Sequence, residues 1–167
     1  MKHARTAAIA IAATGLAIAL GGAPAQAAPG EADLAQLRAV TAKYHDVRVA
    51  VADGYLPTNQ CVPGMGYHYA NLANTRDGVI DPLKPEVLLF VPSPDGVRLA
   101  GVEYTNVDAD QNLATDGDRP TVFGQPFDGP MPGHAPGQPI HYDRHVWIWQ
   151  HNPAGMFTPN NPNVDCG

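Results

Sequence analysis

The sequence predicts an α+β fold: one N-terminal amphipathic helix packed on a small antiparallel β-sheet, with long Pro/Gly-rich loops and one disulfide. Three observations carry that expectation. Helical periodicity occurs once, early in the chain. Period-two alternation recurs after it, and most of the 17 Gly and 17 Pro fall in that later part. Two cysteines, Cys61 and Cys166, stand far apart in the sequence.

Residues 1–27 have the layout of a secretory signal peptide. Lys2 and Arg5 precede an apolar run from Thr6 to Leu20, and Ala25-Gln26-Ala27 supplies the small-residue cleavage pattern. The run is about 15 residues long, short of the roughly 20 needed to cross a bilayer. Residues 28–167 are then expected to form a single secreted α+β domain, long enough for one core and short for two. In an oxidising compartment an even cysteine count favours a Cys61–Cys166 disulfide.

From Glu31 to Asp53 the apolar residues Leu34, Leu37, Val40, Tyr44, Val47 and Val51 recur at spacings of three and four, which predicts a helix ended by Gly54. His45 lies on the other face with Arg38 and Arg48 and reads as a solvated residue. Tyr67-His68-Tyr69 is a short strand candidate. Glu86–Val91 and Val97–Thr105 flank Pro92–Gly96 and predict a β-hairpin, in which Val97, Leu99, Gly101 and Glu103 would share one face with Val87, Leu89 and Val91. Asp108–Pro120 reads as a mobile polar loop. Phe123, Phe127, Met131, Met156 and Phe157 are placed to tack the Pro/Gly-rich stretches 123–139 and 152–163 onto a core. The segment Ile140–His151 predicts a strand. Alternation would put His141, Asp143, His145, Trp147, Trp149 and His151 on one face, and Tyr142, Arg144, Val146, Ile148 and Gln150 on the other.

Charge narrows the partners. The chain has 10 Lys and Arg against 16 Asp and Glu, and loss of Lys2 and Arg5 with the leader widens the gap. Such a surface repels phosphate backbones and anionic lipid, so neither nucleic acid nor, after signal cleavage, a membrane is an expected partner. A small molecule, a glycan or a protein remains open. Ser93 is the lone serine and sits in a turn, which sets aside a serine hydrolase.

Four of the seven histidines, His134, His141, His145 and His151, fall between positions 134 and 151. Glu103 is a carboxylate on an otherwise apolar strand face, where it must find a partner or shift its pKa. His68, Glu103 and His145, with His134 or His141 as a fourth ligand, form a candidate mixed nitrogen and oxygen site suited to Zn²⁺, Cu²⁺ or Fe²⁺. Met131 close to His134 raises copper as a possibility, with packing as the other role for the methionines. Glu86 and Glu103 as cross-strand neighbours would instead make a carboxylate pair of glycosidase type. The rival reading of the chain is a non-catalytic extracellular module in which Tyr142, Trp147 and Trp149 form an aromatic surface for a glycan or protein.

The strings Gly64-Met65-Gly66-Tyr67-His68-Tyr69-Ala70-Asn71, Pro85-Glu86-Val87-Leu88-Leu89-Phe90, Gly101-Val102-Glu103-Tyr104, Phe123-Gly124-Gln125-Pro126-Phe127-Asp128-Gly129 and His145-Val146-Trp147-Ile148-Trp149-Gln150-His151-Asn152-Pro153 together resemble a family of uncharacterised secreted bacterial proteins. The resemblance covers most of the chain after the leader. It implies a one-domain unit and no mechanism. Gly129–His134 resembles in outline the second histidine motif of cupins, but the paired H-x-H of their first motif is missing, so that fold is not expected.

Overall fold

The computed structural model describes residues 30–167, and the signal peptide assigned to residues 1–27 lies outside them. Period-two alternation resolves into a six-stranded sheet of order β1-β2-β3-β4-β8-β7. Its strands are β1 (Tyr55–Val62), β2 (Gly66–Asn71), β3 (Val87–Ser93), β4 (Gly96–Val107), β7 (Asp128–Met131) and β8 (His141–Val146), each antiparallel to its neighbours. Two short strands, β5 (Thr121–Val122) and β6 (Gln125–Pro126), pair apart from it. Cys61 and Cys166 are disulfide-bonded, with Cα atoms 5.8 Å apart. Among the described residues, no helix is long and apolar enough to cross a membrane.

The expected continuous helix is broken. Helix α1 covers Glu31–Thr41, a 3₁₀ turn covers Ala42–His45, and α2 covers Val47–Ala52. Asp46 restarts the helix by accepting a hydrogen bond from the Arg48 amide, the usual role of an N-cap carboxylate. The restart rotates the buried face: Leu37, Thr41, Tyr44 and Ala50 are inside, whereas Val40 and Val51 are exposed. Gly54 does follow the helical region with φ +92°, a conformation glycine adopts without steric cost. A further helix, α3 (Leu72–Asp77), is capped by Asn71, whose side chain accepts from Ala73 and Asn74 amides.

One sheet face carries the main core. Leu88, Phe90, Leu99, Val102, Tyr104, Tyr142 and Val146 pack with Leu37, Tyr44 and Ala50 of the helical region and with Phe123 and Phe127 from the loops. Met156 and Phe157 pack against the same cluster, so the aromatic and thioether residues of the long loops do anchor them. Phe90 is fully buried and its ring lies 4.6 Å from that of Tyr69. Phe90→Ala is expected to destabilise the fold by about 3–5 kcal/mol, read as a shift in the denaturant midpoint at unchanged slope.

The opposite face is smaller and buries Val87, Leu89, Val91, Ala100 and Trp147 beneath Val164. The carboxy-terminal segment reaches it by backbone pairing: the Gly64 amide donates to Val164, and the Asn161 amide to Gly64. A β-bulge decides which residues point where. Leu89 pairs with Gly101 but Phe90 pairs with Leu99, leaving Ala100 as the extra residue. One extra residue reverses the side-chain phase, so Leu99 joins the main core rather than the face of Gly101 and Glu103 predicted for it. The Ala100 carbonyl, freed from the ladder, accepts the amides of Trp149 and Gln150.

Candidate metal centre

Strand pairing assembles the site. His68 on β2 is the partner of Leu89, Val87 on β3 is the partner of Glu103, and Glu103 on β4 lies directly opposite His145 on β8. Directly paired residues share a face, so His68, Glu103 and His145 all project from the smaller sheet face. Each offers a ligand atom, and the three atoms lie within 4.8 Å of one another. His68 Nε2 is 3.5 Å from Glu103 Oε2, and the two imidazole rings are 6.2 Å apart between centres. Gly66 opens β2 at φ +85°, and a Cβ there would collide with the Phe90 carbonyl; this close approach, available only to glycine, holds the strand bearing His68 against β3.

The centre is buried and polar atoms within it are unpaired. His145 is 1% exposed and Glu103 5%. Both ring nitrogens of His145 and Oδ1 of Asp143 have no hydrogen-bond partner among the described residues, nor has Oδ2 of Asp128. Native folds satisfy nearly all such atoms, since an orphaned one costs about 1–3 kcal/mol. Here these four, with Arg144 Nε as a fifth, cluster on β8 and its neighbour β7. Asp128 and Asp143 are register partners across β7 and β8, and Asp143 Oδ1 lies 3.9 Å from His145 Nδ1. Arg144, on the other face of β8, donates to the Phe157 and Pro126 carbonyls and to Asp128 Oδ1.

Burial sets the protonation states. It pushes His145 down to about 3, helped by the nearby His68, Arg144 and His134. Burial also takes His68 down to about 4, with His134 adding to the effect and a backbone hydrogen bond at Gly66 opposing it. Both imidazoles are therefore neutral at pH 7, the form that binds metal. Glu103 is driven the other way, well above the usual carboxylate range, first by burial and then by repulsion from Asp143 and Glu86. Asp143 is raised to about 6 by burial and by Asp128. Neutral imidazoles beside crowded carboxylates are an environment that a divalent cation relieves.

The remaining predicted residues divide. His134 and His141 are not in the three-residue cluster; their rings contact each other instead, 4.9 Å between centres. Tyr142 and Trp147 are 0% and 2% exposed and Trp149 packs against the main core, so they do not form the proposed aromatic surface. The alternation that grouped Trp147 with Trp149 stops where β8 ends at Val146. Trp149 turns back to donate to Thr41 Oγ1 and meets the His45 ring at 4.4 Å. The loop 108–120 is laced by Asp108, Asp110, Asn112 and Asp118, which accept backbone amides.

Glu86 differs most from expectation. It is 1% exposed, and it does not face Glu103, whose partner is Val87. The carboxylate-pair geometry is therefore not formed. Burial raises Glu86 to about 8, against hydrogen bonds from its own backbone and that of Thr105. A raised folded-state pKa means that its contribution to stability is complete below about pH 4.5 and is lost as pH rises through about 8. Glu86→Gln is thus expected to match wild type near pH 4 and to gain on it by about 1 kcal/mol per pH unit towards pH 8, measured by denaturant melts across that range.

No known family, curated protein or solved structure matches the chain. Function has to be read from the chemistry of the residues themselves.

Proposed function

We propose that this is a secreted metal-binding protein, a carrier or small metalloenzyme, that holds one divalent transition-metal ion between His68, Glu103 and His145. The observation that carries the reading is the convergence of two neutral imidazoles and a buried carboxylate within 4.8 Å around a histidine whose nitrogens have no partner among the described residues. Two nitrogen donors and one oxygen donor suit Zn²⁺, Cu²⁺ or Fe²⁺. Three protein ligands also leave a coordination position for water or another molecule, as catalytic zinc sites do. Export is supported by the leader-like residues 1–27 and by the oxidised Cys61–Cys166 pair.

The test is metal content of the untagged protein purified from its export compartment, with thermal shift on adding Zn²⁺, Cu²⁺ or Fe²⁺. One equivalent per chain, or a saturable rise in melting temperature after loading, is the expected result. Neither would end the proposal. Proton release supplies a further prediction. Because the two histidines are already neutral at pH 7, Glu103 is the protein ligand that gives up a proton on loading. Calorimetry in buffers of different ionisation enthalpy is expected to show that Glu103→Gln lowers the number of protons released.

A further inference from the structure

We propose a second metal site, beside the buried centre, in which His134 and His141 with the thioether of Met131 take a copper ion at the β7 edge of the sheet. Geometry is the first support. Two imidazoles bound to one tetrahedral ion, at about 2.0 Å per metal–nitrogen bond, have ring centres about 5 Å apart. The His134 and His141 rings stand at 4.9 Å, inclined by 79°, closer to that spacing than the 6.2 Å of His68 and His145.

The donor atoms are also prepared. His141 Nδ1 lies 3.2 Å from the Pro139 carbonyl; as the donor in that bond it leaves the Nε2 lone pair for a metal, the usual way a second partner fixes a ligating tautomer. His134 is exposed, but its backbone is held. Its amide donates to Gln138 Oε1 at 2.8 Å, and the Gln138 amide donates to Ala135. Gly133 permits this fold-back, since a Cβ there would run into the Gln138 backbone. Met131 is the register partner of His141 across β7 and β8, and partners share a face. Thioether beside imidazole selects copper over harder metals.

His141 and His145 are four residues apart on one strand, about 13 Å along it, so these two do not hold one ion between them. His134 lies near enough to His68 and His145 to act on their charge, so the two sites are neighbours, and variants of each tell them apart.

Cuprous ion titrated into the full, untagged chain under ascorbate, against a chromogenic copper chelator, tests the site. The double variant His68→Ala, His145→Ala is expected to retain one copper equivalent, and adding His134→Ala to remove it. Met131→Leu in the double-variant background is expected to weaken cuprous binding at least tenfold while changing Zn²⁺ binding little. His134 is exposed on a loop, and its alanine variant is checked by circular dichroism and a thermal melt. Copper uptake by the double variant that is unchanged on adding His134→Ala would overturn the proposal, as would a double variant that takes no copper. In the latter case a metal-loaded wild type leaves the buried centre standing. A wild type whose one equivalent is lost with His134→Ala but kept in the His68→Ala, His145→Ala double variant has the opposite meaning: this site exists and the buried centre does not.

Discussion

Alanine at His145 is expected to lower the affinity of the buried centre for its metal by more than about 100-fold, because loss of a mere outer partner of a ligand already costs about 10–100-fold. Isothermal titration of the metal-free protein with Zn²⁺ reads this directly. His68→Ala and Glu103→Gln should follow it in direction. Stability separates a ligand from a structural histidine. His145 is buried with both ring nitrogens lacking partners among the described residues, so His145→Leu, of similar volume, is expected to leave the metal-free melting temperature unchanged or raised. A histidine that served the fold would show the reverse: a lower melting temperature and intact metal binding.

The disulfide is expected to have the largest effect on stability. It spans 105 residues, and closing a loop of that length stabilises by about 4–5 kcal/mol on the chain-entropy account. Cys61→Ser with Cys166→Ser should therefore lower the melting temperature by roughly 10–20 °C. The loss extends to the centre. Cys61 pairs with Tyr67, one residue before His68, and the bridged carboxy-terminal segment hydrogen-bonds Gly64 in the turn between β1 and β2. The serine variant is accordingly expected to bind metal more weakly even below its melting temperature, in the same titration.

Parts of this architecture were legible because they are periodic or anomalous. His141, Asp143 and His145 alternate with Tyr142, Arg144 and Val146, and the strand keeps that phase over its length. Glu103 stood out as a carboxylate among apolar neighbours, and it is the oxygen donor of the cluster. Other parts leave no such trace. Periodicity assigns a face but not what covers it, so Tyr142 and Trp147 read as a surface although Val164 and the loop aromatics enclose them. A helical repeat of 3.6 cannot reveal a 3₁₀ turn at Ala42–His45. β7 reads as a Pro/Gly loop, which hid Asp128 and its pairing with Asp143. Glu86 precedes its strand by one residue, so alternation says nothing of its burial, which tertiary packing sets; in the same region Tyr55 and Tyr104 donate to the Pro85 and Pro82 carbonyls.

Ala100 makes β4 work as two half-strands of opposite phase. Before it Leu99 feeds the main core; after it Gly101 and Glu103 turn to the other face. Deleting that one small apolar residue would leave Leu99 opposite Phe90 and Gly101 opposite Leu89 in plain alternation, both faces unchanged, whereas keeping it in a strand that pairs without the bulge would carry Glu103 through the sheet, away from His68 and His145, or force Leu99 out of the core. The chemistry of the centre is thus encoded partly in a count of residues. A chain that retained all three ligands and Ala100 but paired β3 with β4 in unbroken alternation would be expected to bind no metal.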